Sequence, residues 1–218
     1  MNKIQVNCTS CKQNFTKQKF INHIPNCNNN IKNIDSYLLF VSAQGLSKYW
    51  MFISIPIDFT LFNLSDFLQD IWLKCCNHVS SFEINGKDYV YPKQCDVGNY
   101  SFRRTKKSSF SEKIKNVIKL KDKFKYNYDM GSTTEIEICV VLQYKKEIET
   151  INLLARNESP IIKCYNCKKD AVNICPMCHE CVCNNCVRCV SHECMEDEDD
   201  ELLIKISNSP RSGQCAYE

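Results

Sequence analysis

The sequence predicts an α+β protein: an antiparallel sheet with one main amphipathic helix, flanked by an N-terminal zinc finger and a C-terminal two-zinc cross-brace module. Three observations carry this. Between Tyr37 and Leu154, short runs rich in aromatic and β-branched residues alternate with turn signals. One stretch, Leu61 to Cys75, repeats its apolar residues at intervals of three and four. Most of the 17 cysteines gather near the two ends of the chain at metal-ligand spacings. The division that follows is 1–30 for the finger, 35–158 for the α+β core and 160–218 for the cysteine-rich module and tail.

Length and charge bound the answer. A chain of 218 residues has room for one core of about 100 to 150 residues plus small metal-stapled modules. The start, Met1-Asn-Lys-Ile-Gln5, lacks an apolar leader, and no stretch approaches the ~18 apolar residues of a membrane span. The expectation is a soluble, cytoplasmic protein that does not contact membrane. In that reducing compartment cysteines serve as thiolate ligands rather than disulfides. The net charge of +3 conceals a basic middle and an acidic tail. Arg103 to Lys125 holds ten basic residues against Glu112 and Asp122, whereas positions 164–218 hold five basic and ten acidic residues.

The first metal signal is Cys8-Thr-Ser-Cys11 followed by His23 and Cys27, a CCHC variant of the ββα finger. Phe15 and Phe20 fall near the two hydrophobes of such a finger's small core. His23 and Cys27, four apart, sit on one helical face. Lys17, Lys19 and Asn22 face either a phosphate backbone or water. Protein docking ranks ahead of nucleic acid here, because one finger reads only about three base pairs.

Tyr37–Val41 and Tyr49–Ile55 read as strands of a hairpin joined by Gln44-Gly45-Leu46-Ser47, with Pro56 ending the second. The helix follows: Leu61, Leu64, Phe67, Leu68, Ile71, Trp72 and Cys75 form one buried stripe, with Asn63 as N-cap, Asp66 in the first turn and Lys74 in the last. Cys75-Cys76-Asn77-His78 closes it. Its Cys-Xaa-Xaa-His spacing resembles half a metal site, but no unassigned partner pair is evident, so the expectation is buried cysteines and a helix-end histidine. Asn85-Gly86, between Phe82–Ile84 and Tyr89–Tyr91, predicts a tight hairpin turn. Arg103, Arg104, Lys106 and Lys107 lie between Phe102 and Phe110, a basic and aromatic mixture that fits a nucleic-acid contact or a solvated loop. Ile114, Val117 and Ile118 suggest a short helix. Phe124–Tyr128 alternates, Asp129 to Ser132 turns the chain, Thr134–Leu142 is a long antiparallel strand, and Ile151–Leu154 is the last.

Beyond Pro160, nine cysteines and two histidines fall within the thirty-one residues from Cys164 to Cys194. In a cross-brace the first and third pairs share one ion, and the second and fourth the other. That assigns Cys164, Cys167, Cys183 and Cys186 to one zinc, and Cys175, Cys178, His192 and Cys194 to another. With the finger, three zinc ions are expected. Cys186 with Cys189 is a competing third pair, Cys181 is near enough to compete, and His179 is read as a bystander.

Four segments, Ile71–Phe82, Tyr126–Ile136, Leu153–Asn157 and Asn208–Tyr217, together resemble a known family, the Ri-plasmid ORF-3-like proteins, also labelled insertion-element passenger proteins of the TnpR-like type. The resemblance covers about residues 35–218, and the N-terminal CCHC finger is similar to that of some members. It implies an α+β core, brings no defined activity, and links the chain to mobile elements. Met130 and Ala216 depart from the aromatic and the glycine usual at those places.

The leading expectation is a non-enzymatic, zinc-stabilised intracellular adaptor with a protein partner. The alternative is a nucleic-acid-binding protein using the finger and the 103–125 stretch. A third reading, a metal-dependent hydrolase using Asp129, Glu135 and Glu137, ranks last. A turn-forming aspartate and a solvated strand face explain those carboxylates more simply, and no HExxH, P-loop or nucleophile-elbow pattern is present.

Overall fold

The protein is described from a computed structural model that covers residues 5–27, 34–73, 75–76, 78–91, 108–146, 149–175, 178–186 and 203–215. It divides into two units, Met1–Gln69 with His78–Asn157, and Asp70–Asn77 with Glu158–Glu218.

The first unit opens with the finger: β1 (Gln5–Asn7) and β2 (Asn14–Thr16) pair antiparallel and lead into α1 (Lys17–His23). The helix does not reach Cys27. Pro25 follows His23 by two residues and the chain tightens into a single 3-10 turn, Ile24–Asn26, whose C-cap is Cys27. The shared helical face expected of His23 and Cys27 is therefore replaced by a helix end and a cap.

The core elements follow in order as β3 (Ile34–Ala43), β4 (Trp50–Pro56), α2 (Leu61–Leu68), β5 (Ser80–Ile84), β6 (Lys87–Val90), β7 (Ser108–Ser109), α3 (Ile114–Val117), β8 (Lys123–Tyr128), β9 (Thr134–Lys146) and β10 (Asn152–Arg156). They build an eight-stranded sheet of order β10-β4-β3-β9-β8-β5-β6-β7. Every neighbouring pair is antiparallel except β6 with the two-residue β7. The β5–β6 turn places Asn85 at φ 51° and Gly86 at φ 72°. Both central residues are left-handed, as a two-residue hairpin loop requires of Asn-Gly.

Burial explains why β4 reads as one apolar run. All seven of its residues are buried, so both faces of the sheet are covered there. On one face the finger packs down: Val6, Cys8, Phe20, Ile24 and Cys27 form one apolar cluster with Leu38, Trp50, Phe52, Tyr144, Leu154 and Ala155. The ring of Phe20 lies 4.9 Å from that of Phe52. Thr9 fixes the edge, its backbone N–H donating to Leu154 O at 2.9 Å and its hydroxyl to the same oxygen at 3.0 Å. Lys146 Nζ donates to Cys27 O at 2.7 Å. At the other end of the sheet, α2 lies against β8, where the hydroxyls of Ser65 and Tyr126 hydrogen-bond at 2.8 Å.

Helix α2 starts where the apolar stripe does, at Leu61, and its cap lies one residue before. Thr60, not Asn63, is the N-cap, and Asn63 is its capping-box partner: Asn63 N–H donates to Thr60 Oγ1 at 3.4 Å, and Thr60 N–H to Asn63 Oδ1 at 2.9 Å. Asparagine can return the bond that glutamate or glutamine usually gives at that place. Thr60→Ala is expected to cost the first unit about 1 kcal/mol, read as a lower urea midpoint with an unchanged slope. Past Leu68 the helix widens into a π turn, Gln69–Leu73, and ends before Cys75. Lys74 lies outside the described residues.

The second unit contains a small three-stranded antiparallel sheet, with β11 (Asn173–Ile174) between β12 (Cys181–Val182) and β13 (Ile204–Lys205). Its apolar cluster is slight: Cys164, Val182, Cys183 and Cys186, flanked by Ala171 and Leu203.

Candidate metal centres

A Cys-Xaa-Xaa-Cys turn becomes a metal claw when backbone N–H groups point at its first sulfur, because they hold that thiol as thiolate. The chain builds this claw repeatedly. At Cys8 the N–H of Lys12 donates to Cys8 O at 2.9 Å and the N–H of Cys8 to Gln13 O at 3.0 Å. At Cys164 the same bonds run from Lys168 at 3.1 Å and to Lys169 at 2.7 Å, and at Cys175 from His179 at 2.8 Å and to Glu180 at 3.0 Å. The residue after the second cysteine is left-handed each time: Lys12 at φ 61°, Lys168 at 62°, His179 at 61°. His179 thus serves as the turn's left-handed residue.

In the finger, Cys8, Cys11, His23 and Cys27 bring their ligand atoms within 4.8 Å of one another. Cys11 Sγ lies 3.3 Å from His23 Nε2, and Cys8 Sγ 3.8 Å from Cys27 Sγ. Phe15 stacks on the His23 ring with centroids 4.3 Å apart. Burial pushes the Cys8 thiol up, but the backbone N–H groups of Cys11 and Ser10 outweigh it and leave the thiol below its ordinary range. Cys27 is pushed up to about 12 by burial and by the Cys8 thiol. Burial also holds His23 below its ordinary value, with the Lys146 charge adding to it, which favours the neutral ring a metal needs.

The second cluster is Cys164, Cys167, Cys183 and Cys186, again within 4.8 Å. The Cys167 and Cys183 sulfurs are 3.5 Å apart. Cys164 is held down to about 6, chiefly by the Cys167 backbone N–H and also by those of Cys183 and Asn166. Cys186 goes the other way, up to about 12, through its bond with the Cys167 thiol and through burial. With Cys164 held down and Cys186 pushed up, the cluster has one thiol that deprotonates readily and one that gives up its proton only to an ion. Cys186 pairs with Cys183 here; Cys181 sits in β12, and Cys189 lies outside the described residues. Cys175 and Cys178 form the third claw, but His192 and Cys194, expected to complete their site, lie outside the described residues.

A third cluster was not expected. Within the second unit it brings Cys75 and Cys76 together with Cys215, 139 residues from Cys76 along the chain. Spacing rules find pairs within one turn and give no sign of a lone cysteine that distant.

The remaining site residues are accounted for differently. Lys17 places its ammonium 3.1 Å from the centroid of the Phe40 ring on β3, while Lys19 is exposed. Arg103, Arg104, Lys106 and Lys107 lie outside the described residues. Farther along the basic stretch, Lys113 and Lys115 pair with Asp58 at 3.1 and 2.7 Å, Lys123 with Glu137 at 3.8 Å, and Lys125 with Glu135 at 3.5 Å. Asp129 accepts from Gly131 N–H and Ser132 Oγ, both at 2.9 Å, as a turn aspartate does.

The fold and these clusters together define a cysteine-rich α+β protein with three metal-capable Cys/His sites among its described residues. Residues 44–161, more than half of the chain, match the family model described as plasmid pRiA4b ORF-3-like protein, and the chain belongs to that family. The matched span begins at the first hairpin turn and ends just before Cys164, so the finger and the cysteine-rich tail lie outside it. Among solved structures the chain is similar to a protein of unknown function from Methanosarcina mazei Go1. The two are 17% identical over 57% of this chain and 69% of that one, with a TM-score of 0.45. No curated protein matches the chain. No helix among the described residues is long and apolar enough to cross a membrane.

Proposed function

We propose that the chain is a zinc-stabilised, non-enzymatic adaptor of a reducing, intracellular compartment, linked to mobile elements through its family and acting by holding a protein partner. The observation that carries the reading is the four-thiol set of Cys164, Cys167, Cys183 and Cys186. Four cysteines fill a tetrahedral shell and leave no place for an activated water, which is the pattern of structural zinc. The finger contributes in the same way, its ligands continuous with the apolar core of the first unit.

A partner surface is suggested by the second unit. A cavity of about 510 Å³ is lined by Pro160, Ile161, Ile162, Val172, Asn173 and Ile206 among others, and of these Ile161 is 75% exposed and Val172 41%. Exposed apolar side chains around a concave surface favour protein contact over phosphate. Ion pairing of four lysines in the 103–125 stretch favours it too, though each surface pair is worth only about 1 kcal/mol or less.

A salt titration of DNA and RNA binding separates this reading from its alternative. The adaptor should bind neither with a steep salt dependence. Affinity that falls by roughly three orders of magnitude or more between 50 and 200 mM salt, as several phosphate contacts produce, would instead establish a nucleic-acid-binding protein.

A further inference from the structure

In the second unit, three sulfurs from two distant stretches of chain meet. Cys76 Sγ lies 3.7 Å from Cys75 Sγ and 3.1 Å from Cys215 Sγ. The turn that delivers Cys215 is built for its place. Ser209 Oγ donates to the carbonyl of Trp72 at 2.5 Å, at the end of the π turn. Gly213 has φ 82°, and a Cβ there would stand 2.6 Å from Ile174 Cδ1 on β11, so only glycine lets the turn seat. Cys215 itself is left-handed at φ 55°.

The charge around these sulfurs is arranged for thiolates. Arg211 is wholly buried, and its Nε donates to Cys75 Sγ at 3.3 Å.

We propose that Cys75, Cys76 and Cys215 hold a zinc ion of their own, separate from the other two clusters, which clasps the Asn208–Cys215 turn to the Cys75–Cys76 stretch. Three thiolates around Zn²⁺ carry one net negative charge, and Arg211 supplies the opposite one. Soft sulfur ligands select zinc over the hard cations. Binding replaces the thiol protons with the ion and needs no oxidant. The competing product of two thiols this close is a Cys76–Cys215 disulfide.

The test is the zinc content of the full chain, purified under reducing conditions, beside Cys215→Ser and Cys76→Ser. Each variant should hold one zinc equivalent less than the parent and keep the rest, while Cys139→Ser, outside every cluster, keeps the full number. The cobalt-loaded chain should lose thiolate-to-cobalt absorption in step. Unchanged zinc in both variants overturns the site. So does loss of more than one equivalent in both, which would show no separable ion, or a parent chain that carries a Cys76–Cys215 disulfide. Cys8→Ser and Cys164→Ser report on the structural zinc reading independently: if they lose zinc while Cys215→Ser does not, this inference fails and that reading stands.

Discussion

Cys164→Ala is expected to empty its site and unfold the small sheet of the second unit, with the melting midpoint of the eight-stranded sheet unchanged. The reason is the size of what remains. Apart from three cysteines, the cluster around Cys164 has only Val182 buried, with Ala171 and Leu203 partly so. So small a set cannot offset the entropy of ordering β11, β12 and β13. A structural zinc in a small module supplies on the order of 10 kcal/mol or more of folding free energy. Zinc analysis together with calorimetry checks this: one equivalent is lost, the transition of the second unit disappears, and that of the first remains. Unaltered zinc content would remove Cys164 from the ligand set.

Cys8→Ala should act differently, by weakening the core itself. Cys8 and Cys27 are not on a tethered bead; they are buried in the same cluster as Phe52, Leu38 and Trp50. Without the ion the finger cannot hold Phe20 and Ile24 against the sheet. Losing an aromatic contact of this kind costs about 3–5 kcal/mol where measured by truncation, a large part of the 5–15 kcal/mol typical of a domain. The urea midpoint of the first unit is therefore expected to fall sharply in Cys8→Ala, and Phe20→Ala should reproduce much of the fall while retaining zinc. A midpoint unchanged after loss of the ion would mean that the finger is only appended.

Much of this was legible in the residues. Asn85-Gly86 named its turn because only left-handed residues close a two-residue loop, and the Leu61–Trp72 stripe named its helix. The cap was misplaced because Asn63 and Thr60 are both capping residues, and a box uses one at each end. The finger's Cys/His cluster was legible from spacing, yet what the finger covers was not. The doubly buried β4 shows as an apolar run, and nothing in a run says which other stretch supplies the second cover. The central cluster was hidden by the same limit. Cys75-Cys76-Asn77-His78 looks like half of a site, and what Cys76 meets is a single cysteine in a distant turn. What marks that turn is Gly213 and a buried arginine, neither of which signals metal by itself.

The bond from Thr9 to the carbonyl of Leu154 joins residues 145 apart in sequence. During synthesis at about 5–20 residues per second, the finger can take up its ion long before β10 exists to receive it. For some ten seconds or so its apolar side, Phe20 and Ile24, has no sheet to cover. A finger that binds zinc, as proposed, would therefore load as an early, local event and dock as a late, non-local one.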